Sequence, residues 1–318
     1  MSLPESAVVV VGAGISGVAC ARELDAAGIE VVVVDRSHAV GGRMARWTRD
    51  GRVIDTGAAY FTSRTPDFSA LAESWAVRGL AHPWTDTFTV ADSRGVGDAV
   101  SGPVRWSAEH GLRSLVESLA EGLDVRHRHE VSEVGVGPSI DGQRVRAVVL
   151  AMPDPQALDL LGSGLEPLVG SLEADWLPVI SVVASFQERT WRDLDGMFVH
   201  GSPVSLIVDD GRRRGDDAPV LVVHSTHETA LAHLDDPAAV IPLALNEVRR
   251  LMGAVGEPAW CEAKRWGAAT PVLARSDTYY LGPDDVGVCG DGWSDRPRVE
   301  AAWTSGRDAG RELARRLR

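Results

Sequence analysis

Val8-Val9-Val10-Val11-Gly12-Ala13-Gly14-Ile15-Ser16-Gly17 runs an apolar strand into G-x-G-x-x-G, and Glu30-Val31-Val32-Val33-Val34-Asp35 closes the unit that it opens. That spacing predicts a βαβ unit holding a dinucleotide. Gly12 permits the tight turn out of the strand, Gly14 lets backbone approach a pyrophosphate, and Gly17 lets the helix lie close to the sheet. Ala13, Ile15 and Ser16 supply backbone to the same turn, where free N–H groups and the helix dipole favour phosphate. Asp35 ends the second strand at the usual ~20-residue distance, where an acid accepts hydrogen bonds from a ribose diol and disfavours NADP.

The next residues, Arg36-Ser37-His38-Ala39-Val40-Gly41-Gly42-Arg43-Met44, add a second loop that a simple NAD dehydrogenase does not need. Paired glycines let this loop fold over a cofactor, and Arg43 offers planar donors to phosphate oxygens. Near the other end, Val286-Gly287-Val288-Cys289-Gly290-Asp291-Gly292-Trp293 reads as a strand ending in Gly-Asp, and a helix starts at Val299 with Ala302, Ser305 and Gly306 small enough for tight packing.

The Asp35–Arg43 arrangement resembles the FAD-binding start of the amine-oxidase-like flavoproteins. The resemblance implies that Arg36 follows the ribose acid and that Gly42, Arg43 and Met44 pass close to the pyrophosphate and isoalloxazine. It places Asp291 and Gly290 at the ribityl or phosphate portion, with the Val299 helix, Ala302 included, aimed at the flavin pyrimidine edge. There a positive dipole stabilises an anionic reduced flavin. Gly41–Ala45, Asp55-Thr56-Gly57-Ala58-Ala59-Tyr60-Phe61-Thr62, Lys264-Arg265-Trp266 and Cys289–Trp293 with Val299–Gly306 together look like the renalase-like flavoproteins, in order along nearly the whole chain. That resemblance puts Gly57 and Ala58 at the cofactor, the backbone of Val131 against adenine, and Met152 at a strand end beside the dinucleotide. Family members oxidise 2- and 6-dihydro isomers of nicotinamide dinucleotides and pass the electrons from FAD to oxygen. The chain departs from the pattern at Ala59, where relatives carry Gln, and at Lys264, where they carry His.

The 318 residues carry a net charge of −13 and a pI of about 5.1, so nucleic acid and anionic membrane surfaces meet general repulsion. No stretch is long enough to span a bilayer, and Met1–Ser6 lacks a basic leader, which together read as cytoplasmic. Cys20, Cys261 and Cys289 have no metal-binding or disulfide spacing and read as free thiols; no metal is expected. Lys264 is the only lysine.

The expected fold is α/β: a doubly wound FAD-binding domain from residues 1–62, 107–154 and 264–318, with a mixed β/α substrate domain from 63–106 and 155–263. Helices are expected near Phe68–Trp75, Gly111–Ala120 and Ala238–Met252, and strands at Thr87–Val90, Asp124–Arg126, Val131–Val134, Arg146–Pro153, Val179–Phe186 and Val220–His224. Gly211–Pro219, with Arg212-Arg213-Arg214, reads as a mobile exposed loop.

A flavin accepts hydride without a protein nucleophile, so binding and orientation are the protein's share. Aromatic faces suit a planar substrate ring, and Trp266 and Trp293 are the leading catalytic candidates, with Tyr60 next. His224 and His227 stand at the end of an apolar strand where a base can reach a cleft, and Lys264 can hold a water over the flavin. The leading expectation is an oxidase that passes hydride from an isomeric dihydronicotinamide, or a similar small electron-rich substrate, to FAD and then to O2. Amine oxidation is the enzymatic alternative; a structural or sensing flavin, or non-redox isomerisation, is the other.

Overall fold

Strings of valine set the first sheet. β1 (Val8–Val11) and β2 (Val31–Asp35) present β-branched side chains to both faces, and every residue of β1 is buried, as expected of a central parallel strand. The computed structural model describes residues 2–172, 175–191, 194–253 and 255–318. The chain forms two compact units, one of Met1–Met44, Arg113–Trp176 and Thr270–Arg318, the other of Ala45–Leu112 and Leu177–Ala269.

In the first unit β3 (Asp124–His127), β4 (Ala147–Leu150), β5 (Tyr279–Leu281) and β6 (Val286–Cys289) join them as a six-stranded sheet in the order β5-β6-β4-β1-β2-β3. Only the edge strand β5 is antiparallel; the reversal between β4 and β2 about β1 gives the doubly wound pattern. Helices α1 (Ile15–Ala26), α2 (Arg113–Ala120) and α3 (Val299–Leu317) belong to this unit. α3 crosses α1 at closest approach where its small residues fall: a Cβ on Gly306 would overlap the Ser16 carbonyl, and one on Gly310 would lie 2.6 Å from the Cys20 carbonyl. The tight packing expected of the Val299 helix is therefore against α1.

The second unit is an eight-stranded sheet in the order Trp260–Pro271, Trp176–Ser185, Val220–Ser225, Val204–Asp209, Gly196–Val199, His82–Asp92, Gly95–Ser107, Phe61–Thr62. The helix Val240–Met252 buries Val240, Ala244, Val248 and Leu251, one stripe at helical spacing, in a core with Ile180, Val182 and Val223. The helix Pro66–Val77 covers the expected Phe68–Trp75.

Several details differ from the sequence reading: residues 107–112 and 264–269, expected in the FAD-binding domain, belong to the second unit. Residues 45–62 lie in the second unit, because Arg46–Arg49 and Arg52–Asp55 form a hairpin whose Ile54 packs with Val183, Val220 and Val222. Residues 155–176 lie in the first, where Ala157, Leu165 and Leu168 share a core with β1, β2, β4 and β6. Of the strand expected at Val131–Val134 only Val134–Gly135 forms, since the backbone N–H groups of Ser132 and Glu133 are taken by the Asp141 carboxylate.

Candidate functional site

The turn between β1 and α1 is built for a phosphate-bearing ligand. Gly12 sits at φ +111°, a conformation only glycine adopts easily, and a Cβ there would meet the Ala151 carbonyl at 2.5 Å. Gly17 passes so close to the Gly12 carbonyl that a Cβ would overlap it. At Gly14, by contrast, a Cβ would meet nothing within 4 Å: this glycine faces open space. Gly14 is the N-cap of α1 and no side chain caps the helix; its first turn contains no acid, so its N–H groups remain for an anion. Ile15 and Ser16 are buried there.

Asp35 fixes this turn. Its Oδ2 accepts from the Ala13 N–H at 2.6 Å and its Oδ1 from the Ser37 N–H at 2.7 Å, leaving lone pairs on both oxygens for a diol. The neighbouring Arg36 is exposed. Gly41 N–H donates to the Ala13 carbonyl, and Gly42, at φ +52°, lies where a Cβ would be 3.4 Å from Gly14 Cα. The second glycine loop thus rests on the first. These residues fit the dinucleotide FAD: an open, uncapped helix start, an acid at the ribose position and a glycine loop across the top. Gly14→Val is expected to fold and to emerge without flavin, because a Cβ there meets no protein atom within 4 Å and the valine methyls fill the open space. Asp35→Ala is expected to weaken retention as well, and flavin absorbance per folded protein after gel filtration checks both.

Arg43 and Asp291, both expected at the cofactor, form a bidentate pair at 2.5 and 3.1 Å. Met44 is buried, Met152 and Val299 are half-buried, and Ala302 is buried. Val131 belongs to the apolar core of this unit. Gly290, at φ +150°, donates its N–H to the buried Ser305 Oγ at 2.8 Å, tying the end of β6 to α3. Trp293 is only 4% exposed and carries the Arg275 guanidinium 4.3 Å from its ring centre. One face of this ring is occupied, which favours a packing role over the substrate role expected. Burial pushes the Cys289 thiol up to about 12 and raises Cys20 as well, so both are inert.

In the second unit Gly57 is buried, and Ala58, Tyr60 and Trp266 are half-buried. Tyr60 meets Phe88 edge to face at 5.6 Å. Trp266 donates its indole N–H to the Thr56 carbonyl at 2.8 Å, and the Lys264 ammonium lies 5.3 Å from its ring centre. The strand Trp260–Pro271 and the segment after Asp55 are thereby brought together. The Ala59 carbonyl accepts from Arg213 Nη1 at 2.5 Å, so this position is held through its backbone.

Sequence reasoning missed the group behind that bond. Gly211–Pro219 is an exposed loop only at Gly215–Asp217: Asp210–Arg214 is a short helix, N-capped by Asp209 on Arg212 N and closed by Gly215 in the left-handed conformation. Asp210 and Arg213 are fully buried and paired to each other. Asp210 also holds Arg52 at 2.6 Å, and Arg214 holds the buried Asp55 at 2.7 Å. The spacing Asp209-x-x-Arg212 with Gly215 behind it was the signal.

His224 Nε2 is shielded from solvent with no hydrogen-bond partner among the described residues, and burial, aided by the charge of Arg213, pulls its pKa down to about 4. His227 is engaged with the Pro178 carbonyl through Nδ1 at 2.9 Å. His224 is neutral near pH 7, whereas the unfolded chain protonates it from about 6.5 downward. Stability is therefore expected to fall as pH drops from about 6.5 to about 4, and His224→Gln to remove that part of the slope. Urea unfolding across this range checks it; identical slopes in both proteins refute the assignment.

Among the described residues no helix is long and apolar enough to cross a membrane. The NAD(P)-binding Rossmann-like domain profile matches residues 10–75, and that of flavin containing amine oxidoreductases matches residues 79–313. The chain is 30% identical over 145 residues to the putative flavin-containing monoamine oxidase AofH of Mycobacterium tuberculosis, covering 41% of this chain and 31% of that one. Over 132 residues it is 35% identical to polyamine oxidase 1 of Oryza sativa subsp. japonica, covering 36% and 25%. The chain thus spans less than a third of the length of these curated relatives. The crystal structure of a putative protoporphyrinogen oxidase from Exiguobacterium sp. 255-15 shares the fold, with a TM-score of 0.78 at 14% identity over 99% of this chain and 100% of that one. The chain belongs to the flavin containing amine oxidoreductase family.

Proposed function

We propose that this chain is an FAD-dependent oxidase that acts at a carbon bonded to nitrogen in a small substrate, an amine in the first place, and uses dioxygen as acceptor. The observation that carries it is the open, uncapped start of α1 with Asp35 at its side, in a chain of this family. FAD, when bound, would supply the two-electron chemistry: a hydride from the substrate carbon and a proton from its nitrogen together would reduce dioxygen to hydrogen peroxide. The chain's own part is to bind and orient. The α1 N–H groups would hold the FAD pyrophosphate and Asp35 its ribose, with Gly41 and Gly42 offering backbone beside them. In the second unit Tyr60 and Trp266 offer aromatic faces to a substrate, and Lys264 offers N–H donors at Nζ.

The amine is placed ahead of the dihydronicotinamide because the relatives bear the names of monoamine and polyamine oxidases. The dihydronicotinamide reading keeps its support in the renalase-like segments Gly41–Ala45, Lys264–Trp266 and Cys289–Trp293. Anaerobic mixing of flavin-loaded protein with putrescine, benzylamine, NADH and 2- and 6-dihydro-NAD(P) separates them. Fast bleaching by an amine is expected, with peroxide formed on admitting air. Fast bleaching by the dihydro isomers alone reverses the order, and a flavin that no reductant bleaches ends the oxidase reading.

A further inference from the structure

Arg105 is the exception among the buried arginines of the described residues. Arg213, Arg214 and Arg275 each hold a carboxylate, at Asp210, Asp55 and Asp154 respectively. Arg105 is 6% exposed, and its Nε and Nη1 are buried with no hydrogen-bond partner among the described residues. Aromatic rings surround it: Phe88 with its centre 3.9 Å from the guanidinium carbon, Tyr60 at 5.4 Å and Phe198 at 5.6 Å. Stacking at the Phe88 distance satisfies the face of a guanidinium and leaves the in-plane N–H groups at Nε and Nη1 unsatisfied.

A second donor lies in the same cluster. Trp84 meets Phe88 edge to face at 5.4 Å, and its indole N–H is also buried without a partner. The strand register steps from Pro83 opposite Trp106 to Thr85 opposite Arg105, which makes Trp84 the extra residue of a bulge beside the arginine. Bulges re-aim side chains and collect next to ligand sites. Gly196 leaves room for the cluster, since a Cβ there would be 2.5 Å from the Phe88 ring. Unpaired buried donors in an apolar setting are costly unless an acceptor arrives. The preference of a guanidinium fork is for a planar oxyanion.

We propose that Arg105, with Trp84, is an oxyanion subsite of the substrate unit, which takes the carboxylate or phosphoryl group of a substrate whose apolar part packs among Tyr60, Phe88 and Phe198. This deepens the oxidase reading and rests on it for the term substrate: the amine oxidised carries an acidic group. The test reads binding without turnover. Benzoate, phenyl phosphate and neutral benzyl alcohol are titrated into flavin-loaded protein by calorimetry at fixed ionic strength. Wild type is expected to bind one of the anions at least tenfold more tightly than benzyl alcohol, and which anion wins identifies the oxyanion. Arg105→Met should abolish the preference. Arg105→Lys, which keeps the charge without the fork, should weaken it severalfold and serves where the Met variant does not fold. Equal binding of alcohol and anions by wild type, or an unchanged preference in either variant, overturns the proposal. Anion preference with no amine able to reduce the flavin overturns the oxidase reading alone.

Discussion

Gly306→Val is expected to cost the protein both its flavin and most of its stability. A Cβ at 306 overlaps the Ser16 carbonyl, and backbone cannot rotate away as a side chain would. The two helices must separate, and Ser16 lies in the first turn of α1, where the phosphate-binding N–H groups begin. Overpacking usually costs about 1–3 kcal/mol, and a clash between two helix backbones belongs at or above the top of that range. At roughly 2–4 °C per kcal/mol for a domain of this size, the melting temperature should fall by about 10 °C. Gly256→Ala, where a Cβ meets nothing within 4 Å, should leave it unchanged. A Gly306→Val protein that melts with wild type and stays yellow would show that α1 and α3 are not in this contact.

Asp210→Ala should be about as damaging for a different reason. Removing this carboxylate leaves Arg213, fully buried, and the inner ends of Arg52 and Arg214 without their shared counter-ion. Breaking a buried pair from one side costs about 3–5 kcal/mol, because the remaining charge is stranded. Burial alone raises the Asp210 pKa, yet Arg213, Arg214 and Arg52 outweigh it and hold the carboxyl below the usual range. A depressed folded pKa means that the unfolded state takes up its proton first. The stability from Asp210 is thus complete above the ordinary carboxylate range and is lost as pH falls towards the lower folded value. Acid unfolding should show this limb below about pH 4, beneath the His224 window, and Asp210→Asn should flatten it. An unaltered acid limb in Asp210→Asn would place the titrating group elsewhere.

How far the sequence is readable depends on how locally each feature is determined. The βαβ unit is legible because one run from Val8 to Asp35 holds strand, glycine turn, helix and acid. The buried strand at Ala147–Leu150 and the Gly-Asp after Val286–Cys289 are legible for the same reason. Arg212-Arg213-Arg214 looks like solvated charge because one partner, Asp55, is far away in the chain. The allegiance of Ile54 was hidden likewise, for it is decided by Val183, Val220 and Val222. Trp293 reads as a free aromatic surface until Arg275 is seen on it. Nothing in the alternation of Gly95–Ser107 marks Arg105, whose isolation is visible only once its neighbours are in place.

The sheet of the first unit also fixes an order of events during synthesis. β1 pairs directly with β4, Val8 opposite Ala147, and β4 with β6, Val148 opposite Val286. The innermost pairing of the sheet therefore closes a long loop, and the next waits until the residues through Val286 have been made. Closure over such separations is slow, and an unfinished parallel sheet exposes hydrogen-bonding edges meanwhile. The nascent chain accordingly carries β4 with an unpaired edge while Leu177–Ala269 of the second unit is made, because its partner β6 follows that segment. Recovery of this protein in soluble form should depend on translation rate and chaperone supply more steeply than its finished stability would suggest.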